Sequence, residues 1–277
     1  MIKPALQDDA FLADVERASA DEESLHVWWL GQSGFLVISH GRRVVFDPYL
    51  SDSLTAKYAN TDKPHVRMTQ RVVAPHRIDH VEVITSSHNH TDHLDMETLR
   101  PLMIANPAAP LVTPAANVTS AAQRLECHPS HLAGVDDGET IASDDEVMIT
   151  GIAAAHPTLD RDEAGRCRYL GYVVRVGPWT VYHSGDTLVY DGMIERLRPH
   201  KVDVAILPIN GKLGNMTGVD AARLAKAIDA RLVVPCHFDM FAFNTASPDA
   251  FARECQRLGQ GFSLLKNGQR LTVPAET

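Results

Sequence analysis

The chain has 277 residues, 44% of them hydrophobic, enough to bury a sizeable core, and its 26 basic against 35 acidic side chains leave a net charge of −9. An acidic balance with no Lys/Arg run excludes a nucleic-acid partner, whose phosphates require clustered positive charge. Cys127, Cys167, Cys236 and Cys255 are scattered without a C-x-x-C pair, no stretch nears the roughly 18 apolar residues a membrane span needs, and the N-terminal segment is too charged for a secretory leader, so reduced thiols in the cytoplasm and no membrane partner are expected.

In chain order, residues 1–19 read as an amphipathic helix. LHVWWLG (25–31), GFLVISH (34–40) and RRVVFDPYL (42–50), joined by GQSG and HGR, predict hairpin-linked strands. Residues 51–77 are polar and weakly periodic, too long for a plain connector, and are read as a lid or a loosely ordered insertion. HVEVITS (80–86) is a buried strand, followed by a helix that Pro101 should shorten or kink. APLVTP and PAANVTSAAQRLE read as a strand and a helix. Strands then follow in DEVMITGIAAAH, YLGYVVRVG, WTVYHSGD, VDVAILPIN and ARLVVPCHF. The last two are separated by a helix over 218–229, which Thr217 caps and Asp220 completes as a capping box, with Ala221, Leu224, Ala225 and Ile228 on one face. SPDAFARECQRL (247–258) is a further capped helix, and FSLLKN and RLTVP close as strands. Hairpin links favour an α/β arrangement of two central sheets with helices outside over a doubly wound sheet, in a single domain spanning 1–277.

The chemistry concentrates in SSHNHTDHLD (86–95). At the end of an extended strand, side chains two apart point the same way, so His88 and His90 can grip one ion. As the chain turns toward a helix, Asp92 and His93 can face a second. One cluster cannot close two coordination shells, so other strand ends must contribute. His156 ends VMITGIAAAH, Asp186 follows WTVYHSGD, and His237 follows LVVPCHF. These residues sort into His88, His90 and His156 on one metal and Asp92, His93 and His237 on another, with the two oxygens of Asp186 spanning both. The nitrogen and oxygen donors suit two divalent ions, Zn or Mn, with Fe as a third option. Ions about 3.5–4 Å apart can share a hydroxide and clamp an in-line attack.

In this order, H-x-H-x-D-H, a following His, HSGDT and VVPCHF resemble the metallo-β-lactamase superfamily from residue 26 to about 240. WWLGQSGFLV, SHNHTDHLD, YHSGDT, VDVAILPIN and VVPCHFDMF are most similar to its L-ascorbate-6-phosphate lactonase family. The resemblance implies a four-layer αββα sandwich with the metals at one edge. It also implies hydrolysis by metal-bound water, with Asp92 both as ligand and as proton acceptor or orienter, and sugar-lactonase relatives suggest a homo-oligomer; Asp186, as the bridge between the ions, is counted with Asp92 as a catalytic carboxylate.

Around this set, Asp47 is either an orienting partner for a metal-bound imidazole or a turn-initiating residue before Pro48. Lys63, His65 and Arg67 offer cationic recognition of a substrate carboxylate or phosphate, and Asn210 and Asn215 could present amides to an anion. His183 is read as buried beside the site without ligating, Cys236 as a core thiol, and one of Trp28 and Trp29 as lining the sandwich edge. Ser33 lacks a nucleophile elbow, which excludes serine catalysis. The resulting expectation is a metal-dependent hydrolase that opens a lactone or cyclic ester of a small anionic metabolite, using a metal-bridging hydroxide. A phosphodiesterase acting on a cyclic nucleotide or similar small diester is the alternative.

Overall fold

The computed structural model describes residues 1–143 and 145–275. After helix α1 (Asp8–Ser19), strands β1 (Leu25–Gly31), β2 (Gly34–Ser39) and β3 (Arg42–Phe46) form the expected antiparallel meander. β4 (Val81–Thr85), β5 (Leu111–Pro114) and β6 (Leu132–Val135) extend it in parallel, and β13 (Arg270–Val273) closes the other side, giving the order β13-β1-β2-β3-β4-β5-β6. The second sheet contains β7 (Thr140–Ala142), β8 (Val147–Ala153), β9 (Leu170–Val176), β10 (Trp179–His183), β11 (Val204–Pro208) and β12 (Leu232–Cys236), in the order β12-β11-β10-β9-β8-β7.

Alternation along the strands explains the layering. In β1, Leu25, Val27 and Trp29 face the second sheet, while Trp28 and Leu30 face outward. The outward side is covered by Phe11 and Val15 of α1, by Leu99 and Leu102 of α3 (Met96–Ala105), and by Ala121 and Leu125 of α4 (Val118–Leu125). α5 (Met193–Leu197), α6 (Gly218–Ala227) and α7 (Asp249–Leu258) pack with the second sheet. The fold is therefore the expected helix, sheet, sheet, helix sandwich. Pro101 lies inside the ten-residue α3 without ending it.

Two local expectations fail, and one of two alternatives for a third segment is removed. FSLLKN makes only an isolated bridge from Phe262 to Val233, so it is not a strand. Trp28 and Trp29 are both fully buried, so neither lines an open edge; period-two alternation sends one ring to each core. The segment 51–77 is not loosely ordered. It contains the short helix α2 (Ser53–Lys57), buries Leu54, Val72 and Val73, and is bonded to the rest of the chain through its backbone, Met68 N donating to Met240 O at 2.8 Å, and through a side chain, Thr69 Oγ1 donating to Asp239 O at 2.6 Å.

Strand direction positions the site. β1, β3 and β4 run the same way in one sheet, as do β8, β10, β11 and β12 in the other. The residues following each strand's C-terminal end can therefore share one rim.

Candidate metal centre

At that rim, residues from four strand ends converge. His88 and His90 follow β4, His156 follows β8 and Asp186 follows β10, and one potential ligand atom from each lies within 4.8 Å of all the others. Asp92, His93 and His237 form a second such set, with His237 supplied from the end of β12. Asp186 stands between the sets. Its Oδ1 is 3.3 Å from His93 Nε2, and its Oδ2 is 3.4 Å from His237 Nε2 and 3.9 Å from His156 Nε2. The structure thus brings together all seven residues singled out from the sequence as metal ligands.

The donor chemistry fits divalent cations. His88 Nε2 is buried without a hydrogen-bond partner among the described residues, and the buried His93 Nε2 and Asp186 Oδ1 make no hydrogen bond of good geometry, meeting only as an ion pair 3.3 Å apart. Buried polar atoms are costly to leave unpaired, and a cation among these would pair them at once. Cys236 lies in the inter-sheet core, where burial pushes its thiol well up, which leaves the set to nitrogen and oxygen.

Burial, and then the charge of His93, holds His88 well below the ordinary imidazole range, and burial likewise lowers His90. Both are neutral and have lone pairs to offer. The second set behaves differently. Burial works against protonation of His93 and His237, but the Asp186 and Asp92 carboxylates outweigh it. They lift His93 well above the ordinary value and His237 to about 9. Reciprocally, burial would raise Asp186 and Asp92, yet the two imidazoles bring both well below the usual carboxylate range. Without a metal, two imidazolium–carboxylate pairs stand where cations would otherwise balance the charge.

A second ring of residues orients the first. Asp47, at the end of β3, accepts from His93 Nδ1 at 2.7 Å, from Thr85 Oγ1 at 3.0 Å, and from the backbone N and Oγ of Ser87. It is an orienting partner and not merely a turn residue. Ser87 Oγ also stands 3.0 Å from His88 Nδ1, linking both sets. His183 does not join them; its Nε2 donates to Ser33 O at 2.8 Å and its ring stacks on Phe46. Gln32, unnoticed in the sequence, is wholly buried in the β1–β2 turn and donates to Asp92 Oδ2 at 2.8 Å. Neither Ser87 nor Gln32 carries a chemical signature; only adjacency to His88 and the hairpin-turn position mark them. Gln32, Asp47 and His237 all have positive φ, of 51°, 37° and 63°. Such uncommon backbone clusters where side chains must be aimed precisely.

Above the two sets opens a cleft of about 880 Å³. Lys57, Tyr58, Lys63, His65 and Phe243 line one side, with Asn89, Arg124 and Tyr169 also on the wall. Of the five expected substrate contacts, Lys63, His65 and Asn215 reach the cleft. Asn215 is buried with both amide atoms unpartnered among the described residues. Arg67 does not reach it. Its guanidinium is committed to Asp52 Oδ1 at 2.9 Å and Ser51 O at 3.0 Å, a partnership that a reading of 63–67 alone could not reveal. Asn210 lies behind the wall, donating to Asn244 Oδ1 at 2.8 Å. His65 is wedged in a ring cluster, 4.4 Å from Tyr58 and 4.5 Å from Phe243 between centroids.

Residues 26–237 match the β-lactamase superfamily domain. The chain is 26% identical to a UPF0173 metal-dependent hydrolase of Caldivirga maquilingensis, over 89% of this chain and 97% of the relative. It is 27% identical to another from Alkaliphilus metalliredigens, over 83% and 92%. Among solved structures, Igni18, a metallo hydrolase of the archaeon Ignicoccus hospitalis, superposes with a TM-score of 0.68 at 20% identity, covering 91% of this chain and all (100%) of that one. The isothiocyanate hydrolase from Delia radicum gut bacteria gives 0.69 at 18% identity, over 90% and 100%. At these identities the structural likeness is one of fold.

Proposed function

Because the chain belongs to the β-lactamase superfamily, we propose that it is a metal-dependent hydrolase whose two clusters each hold a divalent ion, with Asp186 shared between them. The observation that carries this is the convergence of seven ligand-type side chains, of which His90, Asp92, His156, Asp186 and His237 line an 880 Å³ cleft and His88 and His93 lie buried beside them. Ions bound there would lower the pKa of a water from 15.7 toward about 7 and polarise a carbonyl or phosphoryl oxygen.

The chain's own residues supply the rest. Asp92 lies on the cleft wall, and its strongly depressed pKa keeps it ionised, able to accept a hydrogen bond from an attacking water and orient it. Asp186 presents one oxygen to His93 and the other to His237 and His156, the arrangement that lets one carboxylate serve both clusters. Lys57, Lys63 and Arg124 give the wall positive charge in a chain of net charge −9, which favours a small anionic substrate. Asn215 offers an unspent donor and acceptor to its neutral polar groups. These features support a small anionic substrate, and the sequence resemblance to the lactonase family makes a lactone or cyclic ester the first reading of it. The same cations suit a small phosphodiester, which is the second reading.

The test is elemental analysis of the purified protein, then turnover of a lactone and phosphodiester panel with the identified metal restored. His88→Ala and Asp186→Ala should lose metal and turnover together while circular dichroism stays unchanged. Full activity in either variant, or no uptake of Zn²⁺ or Mn²⁺ by the wild type, overturns the proposal.

A further inference from the structure

The amide of Gln32 is an unexplained occupant of the second cluster. Besides its 2.8 Å bond to Asp92 Oδ2, Nε2 stands 3.0 Å from His237 Nε2. Those two partners are themselves 3.5 Å apart. Donors on one ion at about 2.1 Å stand roughly 3.0–3.4 Å from each other, so the tip of Gln32 lies close to the spacing of a further donor. It is held there firmly. The backbone carbonyl of Gln32 accepts from His237 N and from Trp29 Nε1, both at 3.0 Å, which ties the β1–β2 turn to the His237 loop.

We propose that Gln32 is an additional ligand of the second cluster, its side-chain oxygen joining Asp92, His93 and His237 on a cation there; this rests on the metal reading above. An amide nitrogen has no lone pair to give, so only Oε1 can ligate. Oε1 is buried with no partner among the described residues, whereas Nε2 faces the Asp92 carboxylate. With no cation nearby, that orientation is the favourable one, because turning the oxygen toward Asp92 would set it against a carboxylate. A cation between Asp92 and His237 reverses the preference. A half-turn about the last side-chain torsion exchanges two ends of nearly equal size, brings Oε1 to the ion and needs no repacking. Gln32 is wholly buried and absent from the cleft wall, so substrate contact does not account for it.

The experiment is a titration of metal-free protein with Zn²⁺ and with Mn²⁺, read as the affinity of each successive ion. It compares wild type with Gln32→Met, which keeps the length and replaces the amide oxygen by a weakly ligating thioether, and with Gln32→Glu, which keeps an oxygen. Wild type should take two ions. In Gln32→Met the second should bind 10–100-fold more weakly while the first is unchanged, a loss of the size seen when supporting groups at metal sites are removed. Gln32→Glu should hold the second ion at least as tightly as wild type. Equal binding in wild type and Gln32→Met, equal weakening of both ions, or a wild type that takes only one ion overturns the ligand role. A wild type that takes no ion overturns the metal reading itself, a distinct result.

Discussion

Asp47 shows how much of this site depends on a residue that touches no substrate. It is wholly enclosed, and its bond to His93 Nδ1 leaves Nε2 as the nitrogen facing the second cluster. Such outer partners set ring orientation and basicity, so Asp47→Asn should weaken the second ion about 10–100-fold while the protein still folds. Competition against a chromophoric chelator measures this, and an unchanged affinity would remove Asp47 from the design. Gly185 is a second lever. Its φ is +58°, and a Cβ there would come 2.6 Å from Ser87 Cβ and 2.7 Å from Ser87 Oγ. Gly185→Ala should destabilise the fold by about 1–3 kcal/mol and displace the hydroxyl that Asp47 and His88 share. A melting temperature equal to wild type would count against that. At this scale the sequence was most legible where chemistry is written in the residue type: the imidazoles and carboxylates at strand ends stand out by spacing alone. Gln32 and Ser87 act through position only, and Arg67 was misplaced because the carboxylate that claims it, Asp52, lies fifteen residues earlier.

At the scale of elements, long apolar runs declared themselves and short polar ones did not. β1 and β2 follow the alternation in LHVWWLG and GFLVISH almost to the residue, whereas β3 ends at Phe46, four residues short of RRVVFDPYL. β6 and β7 are LAGV and TIA, too short and too interrupted by glycine and polar neighbours for period two to show, and tertiary pairing with β5 and β8 makes them strands. FSLLKN errs the other way, an apolar run that the sheet never pairs as a strand. α6 was the best specified helix, and both bonds of its capping box form between Thr217 and Asp220. That box also closes the loop that presents Asn215. Thr217→Ala should therefore cost about 1 kcal/mol, seen as a lower denaturant midpoint with an unchanged slope. It should also raise KM more than it lowers kcat, because the loop carries Asn215, the proposed substrate contact on the cleft wall, and none of the seven ligand-type residues. An unaltered midpoint would show that packing alone holds this helix start.

At the scale of the whole molecule, the two-sheet architecture concentrates charge that folding alone does not favour. Two carboxylates and two imidazoles are buried at one rim, and in the metal-free state they neutralise each other. The pH dependence follows from the direction of these shifts. His93 and His237 have folded pKa values raised above the ordinary 6.5, so their stabilising share is fully present below about pH 6.5. It is lost as pH rises through the folded values, about 9 for His237. Asp92 and Asp186 are depressed, so their share is present above about pH 4 and is lost only under strong acid. Metal loading requires deprotonated imidazoles, so ions bind more tightly as pH rises over the window where the metal-free chain weakens. An ion at 100 times its dissociation constant adds about 2.7 kcal/mol. Scanning calorimetry of chelated and reloaded protein should therefore show the gap in melting temperature widening steadily from pH 6.5 to 9, with protons released on loading. A constant gap across that range, or metal-free protein that grows more stable toward pH 9, would mean that the imidazoles of the second cluster do not exchange protons for metal.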